Sequence, residues 1–168
     1  NLSSNFGNRF DNIDLAISML ESYGIKVINK SGFYETLSYP NHKNPKFINV
    51  VISISTQLSP TDLMSALIFI EEKLERTRNK KNDPRTCDID IIDYKGQILN
   101  FTYNNINLTV PHENLTFRNF VLYPLQEISP EWKHPKTQEF INLLIKKLPD
   151  DDKKSILKVE KIDIISHA

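Results

Sequence analysis

A single cysteine, Cys87, rules out an intramolecular disulfide framework and fits a reducing compartment, so a cytoplasmic location is the expectation. Only four glycines occur, Gly7, Gly24, Gly32 and Gly96, too scattered for a glycine-rich loop that cradles phosphate. Charge of neither sign prevails: 21 Lys and Arg balance 21 Asp and Glu, which argues against a general nucleic-acid-binding surface. No apolar run approaches the roughly 20 residues of a membrane helix, and the first residues carry no secretory pattern. Internal repeats are absent. What is present is a chain of single-domain length, 168 residues, with enough apolar and aromatic side chains for one substantial core.

Asn1 to Asn5 reads as a polar loop. A helix is predicted over Asp11–Tyr23, with Ile13, Ala16, Ile17 and Leu20 on one stripe and Gly24 as its stop. Ile25–Thr36 and Phe47–Ser55 are each rich in β-forming residues and read as strands, separated by a loop holding Pro40, Asn41, Asn44 and Pro45. Ser59 followed by Pro60 marks a helix start, and Leu63, Ala66, Leu67, Ile70 and Leu74 form that helix's buried stripe. Asp93–Gln97 reads as a hairpin turn leading to Ile98–Phe101, and Leu108–His112 as a short extended piece. Phe117–Glu127 is expected to be a helix that Pro124 breaks or kinks. A last amphipathic helix is expected over Thr137–Leu148, with Phe140, Leu143 and Leu144 facing in. Pro149–Lys154 is a charged turn, and the tail from Ser155 is a short strand or a linker. His42, His134 and His167 are expected at the surface.

The stretch that carries chemistry is Asp83–Ile92. From Cys87 onward it alternates: Cys87, Ile89 and Ile91 point one way, Asp88 and Asp90 the other. Aspartate is disfavoured in strands. Two on one face, about 6.6 Å apart, could share divalent cations, and Mg²⁺ takes one or two carboxylates and completes its shell with water and phosphate. Arg76, Arg78, Lys80, Lys81 and Arg85 lie close by in sequence and would suit a polyphosphate. The competing reading is a half-exposed strand with a solvated outer face and a helix end whose cations complement its dipole. The decapeptide alone does not separate the two. Asn49, a polar amide on the face of Phe47 and Val51, reads on its own as an edge hydrogen bond.

Helix, two strands, helix, strand is a βαββαβ unit without its first strand. The expected fold class is therefore α+β, a ferredoxin-like βαββαβ core with extra strands and helices in α/β/α layers, the first strand being absent from the chain as given.

Ser31-Gly32-Phe33-Tyr34-Glu35-Thr36, Phe47-Ile48-Asn49, Pro84-Arg85-Thr86-Cys87-Asp88-Ile89-Asp90, and Val110-Pro111-His112 followed by Arg118-Asn119-Phe120 together resemble one family, the 6-hydroxymethyl-7,8-dihydropterin pyrophosphokinases (HPPK). The resemblance runs from Asn1 to about Leu148, and Asn1 is taken as the end of the family's opening Gly-Ser-Asn. It implies transfer of pyrophosphate from ATP to the pterin hydroxymethyl oxygen, with AMP released, in folate biosynthesis. It implies Asp88 and Asp90 as ligands of two Mg²⁺ ions, and Arg76, Arg78 and Arg85 on phosphates. His112 and Arg118 would lie near the nucleotide, with Glu71 as a supporting helix carboxylate. Phe47 and Phe120 would sandwich the pterin, whose edge is read by Asn49 and backbone groups near Thr36.

The sequence departs from the family pattern in three places. The loop before Pro84 lacks a tryptophan, Phe47 stands where tyrosine is common, and Asn107 stands where an arginine can occur. The expected division is 1–148 as the catalytic unit and 149–168 as a tail or linker to a second folate-pathway domain such as dihydropteroate synthase. Small molecules are the expected partners, with no nucleic acid and no membrane. The alternatives are a nucleotidyltransferase with paired metal-binding aspartates, an RNA-binding or other non-catalytic ferredoxin-like module, and a silent domain of a larger enzyme.

Overall fold

The computed structural model describes residues 1–37, 43, 45–75 and 86–161. The nominated Arg76, Arg78, Lys80, Lys81 and Arg85, as well as His42 and His167, lie outside the described residues.

The polar opening is not a loop. Leu2–Ser4 forms strand β1, which lies between β4 (Phe47–Val50) and β6 (Asp88–Ile89) and is antiparallel to both. Leu2 and Ser4 turn into the core, and the buried Ser4 hydroxyl accepts from Asn12 Nδ2 at 3.4 Å. Three residues, two of them serine, carry too little periodic signal to be read as a strand; pairing on both sides makes them one. The unit's first strand is thus represented in the chain, and it runs on past Asn1 to end at Ser4.

Helix α1 (Arg9–Ser22) follows, capped by Asn8, whose side chain accepts from the Asp11 amide at 3.1 Å. Its inward stripe is Ile13, Ala16 and Leu20, and Gly24 stops it at φ +75°, a value that glycine adopts freely. Helix α2 (Pro60–Leu74) starts as its sequence predicts, with Ser59 Oγ accepting from the Asp62 amide at 3.1 Å. Replacing Ser59 with alanine removes that bond and is expected to cost about 1 kcal/mol, a fall of about 2–4 °C in the melting temperature for a domain of this size. No change on thermal denaturation would contradict the capping role. Both helices pack on one face of the sheet, and Leu63, Leu67 and Ile70 of α2 join Leu2, Ile13, Leu20, Ile48, Val50 and Ile89 in the main core.

Each of the two long predicted strands is split. Ile25–Thr36 gives β2 (Lys26–Lys30) and β3 (Phe33–Thr36); Phe47–Ser55 gives β4 and β5 (Ile52–Ser55). β3 pairs with β4, whereas β2 pairs with β5 in a separate two-stranded sheet. The break falls where Ser31 and Val51 face each other: the Ser31 amide donates to the Val51 carbonyl at 2.9 Å, and Ser31 Oγ accepts from the Val51 amide at 3.0 Å. A β-rich composition that runs straight through both positions gives no sign of this bend.

β7 (Leu99–Tyr103) and β8 (Ile106–Val110) pair with each other through Asn104 and Asn105, both at positive φ (48° and 62°), as a two-residue type I′ hairpin requires. Asp93–Gln97 is a turn as read, but it joins β6 to β7 without pairing them. Helix α3 (Asn119–Ile128) continues past Pro124, which does not end it. It packs on the other sheet face, against β3 and β4, over a second core of Val51, Leu115, Leu122, Leu125, Ile141 and Leu144. Helix α4 is shorter than predicted, Ile141–Lys146, because residues 135–137 form a turn, Gln138 takes a positive φ of 64°, and Phe140 is held in a β-bridge with Lys133. The inward residues are consequently Ile141 and Leu144; Phe140 and Leu143 are 54 % and 42 % exposed. His134 is buried, its Nδ1 accepting from the amides of Lys136 and Thr137 at 3.1 and 3.2 Å, so it is not a surface histidine. Beyond Leu148 come α5 (Asp150–Lys154) and β9 (Leu157–Val159), and β9 pairs antiparallel with β3, completing the sheet order β6-β1-β4-β3-β9. The result is the expected α+β, α/β/α arrangement.

Candidate active site

Strand register sets one transverse row across the sheet face that carries α3. Lys158 lies opposite Tyr34, Tyr34 opposite Asn49, Asn49 opposite Ser3, and Ser3 opposite Asp88. Directly opposed residues in antiparallel strands point the same way, so an amide and a carboxylate face one space from strands two apart, about 9.6 Å. Thr36 and Phe47 form the adjacent pair on the same face. Where α3 leaves this face uncovered there is a cleft of about 660 Å³, lined by Ser3, Thr36, Leu37, Phe47, Asn49, Glu71, Asp88, Asp90, Arg118 and Phe120. Eight of these ten were nominated from the sequence. Ser3 and Leu37 were missed: Ser3 has no signal until the register places it between Asn49 and Asp88, and Leu37 follows Thr36 out of β3.

The aspartate alternation is present. Cys87 and Ile89 are buried in the core, and Asp88 and Asp90 stand half-buried on the open side. β6 itself is only two residues long, but Asn1 and Asp90 exchange both backbone hydrogen bonds at 2.9 Å and carry the pairing one residue further. Glu71, in the last turn of α2, reaches round the sheet edge, where Oε2 accepts from the Ile89 amide at 3.2 Å and satisfies an edge donor. Burial pushes its carboxyl up to about 8, and the charges of Asp88, Asp90 and Glu75 push the same way against that one hydrogen bond. Arg118, at the start of α3, places a guanidinium nitrogen 3.6 Å from Asp90 Oδ2 and lies 5.4 Å from the Phe120 ring centroid.

Asn49 is buried and gives both amide N–H groups to its own sheet, Nδ2 donating to the Tyr34 carbonyl at 3.0 Å and to Thr36 Oγ1 at 2.9 Å. Its amide oxygen is left to accept from a ligand, with the orientation fixed by two internal bonds. His112 lies just after the cis Val110–Pro111 bond and does not line the cleft; its Nδ1 accepts from the Asn114 amide at 3.1 Å. Burial, and then the Arg118 charge, lower its pKa, so the ring is neutral with its proton on Nε2. Asn107, where an arginine can occur in the family, is engaged within the hairpin, its Oδ1 accepting from Thr102 Oγ1 at 2.9 Å. A second cleft, about 350 Å³ and more apolar, lies by Ile52, Ile54, Leu63, Leu67 and Tyr94, and of the nominated residues holds only Asp90.

Among the described residues no three His, Cys, Asp or Glu side chains converge as a metal cage. Two hard carboxylates on one face fit a cation that keeps open positions for water and phosphate, as Mg²⁺ does, and do not fit a closed structural site. Among the described residues, no helix is long and apolar enough to cross a membrane.

Fold and cleft together define an α+β protein with acidic, basic and aromatic groups gathered on one half-open sheet face. The family model of 7,8-dihydro-6-hydroxymethylpterin-pyrophosphokinase (HPPK) matches residues 1–130. A 2-amino-4-hydroxy-6-hydroxymethyldihydropteridine pyrophosphokinase of Synechocystis sp. is 36 % identical over 148 residues, covering 88 % of this chain and 73 % of its own. The folic acid synthesis protein fol1 of Schizosaccharomyces pombe is 37 % identical over 147 residues, 87 % of this chain and 20 % of that protein, so the chain spans about a fifth of that relative's length. Among solved structures, the Plasmodium falciparum HPPK-DHPS triple mutant with pteroate superposes with a TM-score of 0.71 at 15 % identity, covering 94 % of this chain and 45 % of that one. The chain belongs to the HPPK family.

Proposed function

We propose that the chain transfers the β,γ-pyrophosphate of ATP to the hydroxymethyl oxygen of a 6-hydroxymethyl-dihydropterin, forming the O–Pβ bond, breaking the bond between Pβ and the α-phosphate oxygen, and releasing AMP. The observation that carries this reading is the single row that sets Asn49 and Asp88 on either side of Ser3, with Phe47 and Phe120 in the same cleft. A nucleotidyltransferase would need the acidic half of the cleft and leave the ring-sized half without a purpose. The family relationship supports the same choice.

Asp88 and Asp90 would hold Mg²⁺, two ions by the family resemblance, which supplies charge neutralisation for the triphosphate when bound. Phosphoryl-type transfer is largely positioning and charge compensation, and the chain's own groups are arranged for both. Phe47 and Phe120 bind the pterin faces, and the Asn49 oxygen and groups near Thr36 read its polar edge. Arg118 and the neutral His112 donate to the nucleotide, and Arg76, Arg78 and Arg85 are proposed on its phosphates. Glu71 holds the strand that carries both aspartates. The HPPK-DHPS chains among the structural neighbours support a covalently linked dihydropteroate synthase domain as partner.

The test is direct: incubate the chain with ATP, Mg²⁺ and hydroxymethyl-dihydropterin and resolve the nucleotides. AMP is the expected product; ADP, or free pyrophosphate with a nucleotidylated acceptor, contradicts the proposal.

Glu71 gives a pH prediction for the metal-free protein. Its folded-state carboxyl is raised from 4.5 to about 8, so between these values the folded state keeps a proton that the unfolded chain has lost. Its contribution to stability is therefore fully present at low pH and declines as pH rises through that window. Thermal melts without divalent ions should fall from about pH 5 to about pH 8, and Glu71→Gln should flatten the slope. An equal slope in both proteins would contradict the assignment.

A further inference from the structure

The segment after Leu148 lies beyond the family match, which ends at residue 130. It nevertheless reaches the cleft's walls at two separate points. At the first, β9 lies along β3 and Lys158 Nζ is 2.8 Å from Glu127 Oε1, on α3. That carboxylate also accepts from Tyr34 OH through Oε1 at 2.6 Å and from the Gly32 amide through Oε2 at 2.7 Å. Glu127 thereby ties β9, α3, β3 and the residue just before β3 to one group. The Tyr34 carbonyl is in turn an acceptor for Asn49 Nδ2, the side chain whose free oxygen faces the cleft. The fit is close: a Cβ on Gly32 would come within 2.7 Å of Lys158 Cε.

At the second point, Asn119, buried at the head of α3, donates from Nδ2 to the Asp152 carbonyl at 2.7 Å and to Ser155 Oγ at 3.1 Å. Asn119 stands between Arg118 and Phe120, both lining residues of the cleft. The α5 turn therefore holds the helix end that presents them.

We infer that residues 150–159 are a positioning brace for the active cleft, acting through Glu127 on the ring-reading edge at Asn49 and through Asn119 on Arg118 and Phe120. The inference rests on the proposed reading for what each part of the cleft binds. None of the brace residues touches substrate. They fix the groups that do, and transfer reactions lose rate steeply when reacting groups are displaced by about 1 Å.

The two routes predict different kinetic patterns. Glu127→Ala and Lys158→Met loosen only the Asn49 edge, so KM for the pterin should rise about tenfold and about fivefold while KM for ATP stays where it was. Lys158→Arg, which keeps the ion pair, should restore the wild-type value. Asn119→Ala loosens Arg118 and Phe120 together, so KM should rise for both substrates. A segment that merely adds stability would lower the melting temperature of all three variants with neither KM moved, and that result overturns the inference. So does a rise in ATP KM for Glu127→Ala equal to the rise for pterin. If the wild-type chain forms no AMP, the proposed function fails on its own. The brace is then read by hydrogen exchange, where the Asn49 amide must exchange faster in Glu127→Ala and the Phe120 amide faster in Asn119→Ala, relative to α1. Unchanged protection at both overturns it.

Discussion

Replacing Asp88 or Asp90 with asparagine is expected to reduce AMP formation at least a thousandfold, about 4 kcal/mol of transition-state stabilisation, without unfolding the chain. The two carboxylates occupy the open side of β6, while the packing of this region comes from Cys87 and Ile89 on the other side. Neither is a core residue, and asparagine is close to isosteric. Stability should change little near neutral pH, where the raised pKa keeps Glu71 protonated and uncharged beside the two aspartates. The Asp90–Arg118 pair lost in Asp90→Asn is partly exposed at 3.6 Å and contributes little to folding. A second readout follows: with one neighbouring charge gone, the Glu71 carboxyl should titrate lower than in the wild type. Full activity in either variant, or collapse of both on thermal denaturation, would contradict the assignment of these residues to metal-assisted transfer.

The second large effect concerns the ring. Phe120→Leu keeps an apolar side chain against the second core but removes an aromatic face, and base-sized rings lose about 1–3 kcal/mol on losing such a face. KM for the pterin should therefore rise roughly 5- to 150-fold, with KM for ATP nearly unchanged. Asn49→Ala should do more. It deletes the edge-reading oxygen and leaves the Tyr34 carbonyl and Thr36 hydroxyl without their buried donor. Each unsatisfied buried group costs about 1–3 kcal/mol, so this variant should also melt lower. The contrast between the two variants is the point: Phe120→Leu tests recognition with little loss of fold, and Asn49→Ala tests both. If either raised KM for ATP and left pterin untouched, the halves of the cleft would have been assigned the wrong way round.

How far the sequence alone reached depended on whether a signal was local. Ser59-Pro60 announces a helix because capping is a local event, and the alternation around Asp88 and Asp90 survives in the fold because a strand's period is local too. The identity of Leu2–Ser4 as a strand is not local: it depends on β4 and β6, far along the chain, pairing on either side. The same holds for the bend at Ser31 and Val51, where two residues apart in sequence by twenty exchange hydrogen bonds. Asn49 was legible as an odd residue, yet only the structure shows both of its N–H groups spent internally, with its oxygen left over. The misplaced faces of Phe140 and Leu143 trace to the turn and β-bridge that shift the start of a short helix. Glu127 and Asn119 carried no sequence signal as site residues, because their influence passes through other side chains.

The most direct measurement is a crystal structure of the chain with Mg²⁺, a non-hydrolysable ATP analogue and hydroxymethylpterin. Metal density should lie against the carboxylates of Asp88 and Asp90, with the pterin between Phe47 and Phe120 and its polar edge on the Asn49 oxygen. Carboxylates turned away from the metal, or a pterin lodged in the apolar cleft beside Tyr94, would contradict the account.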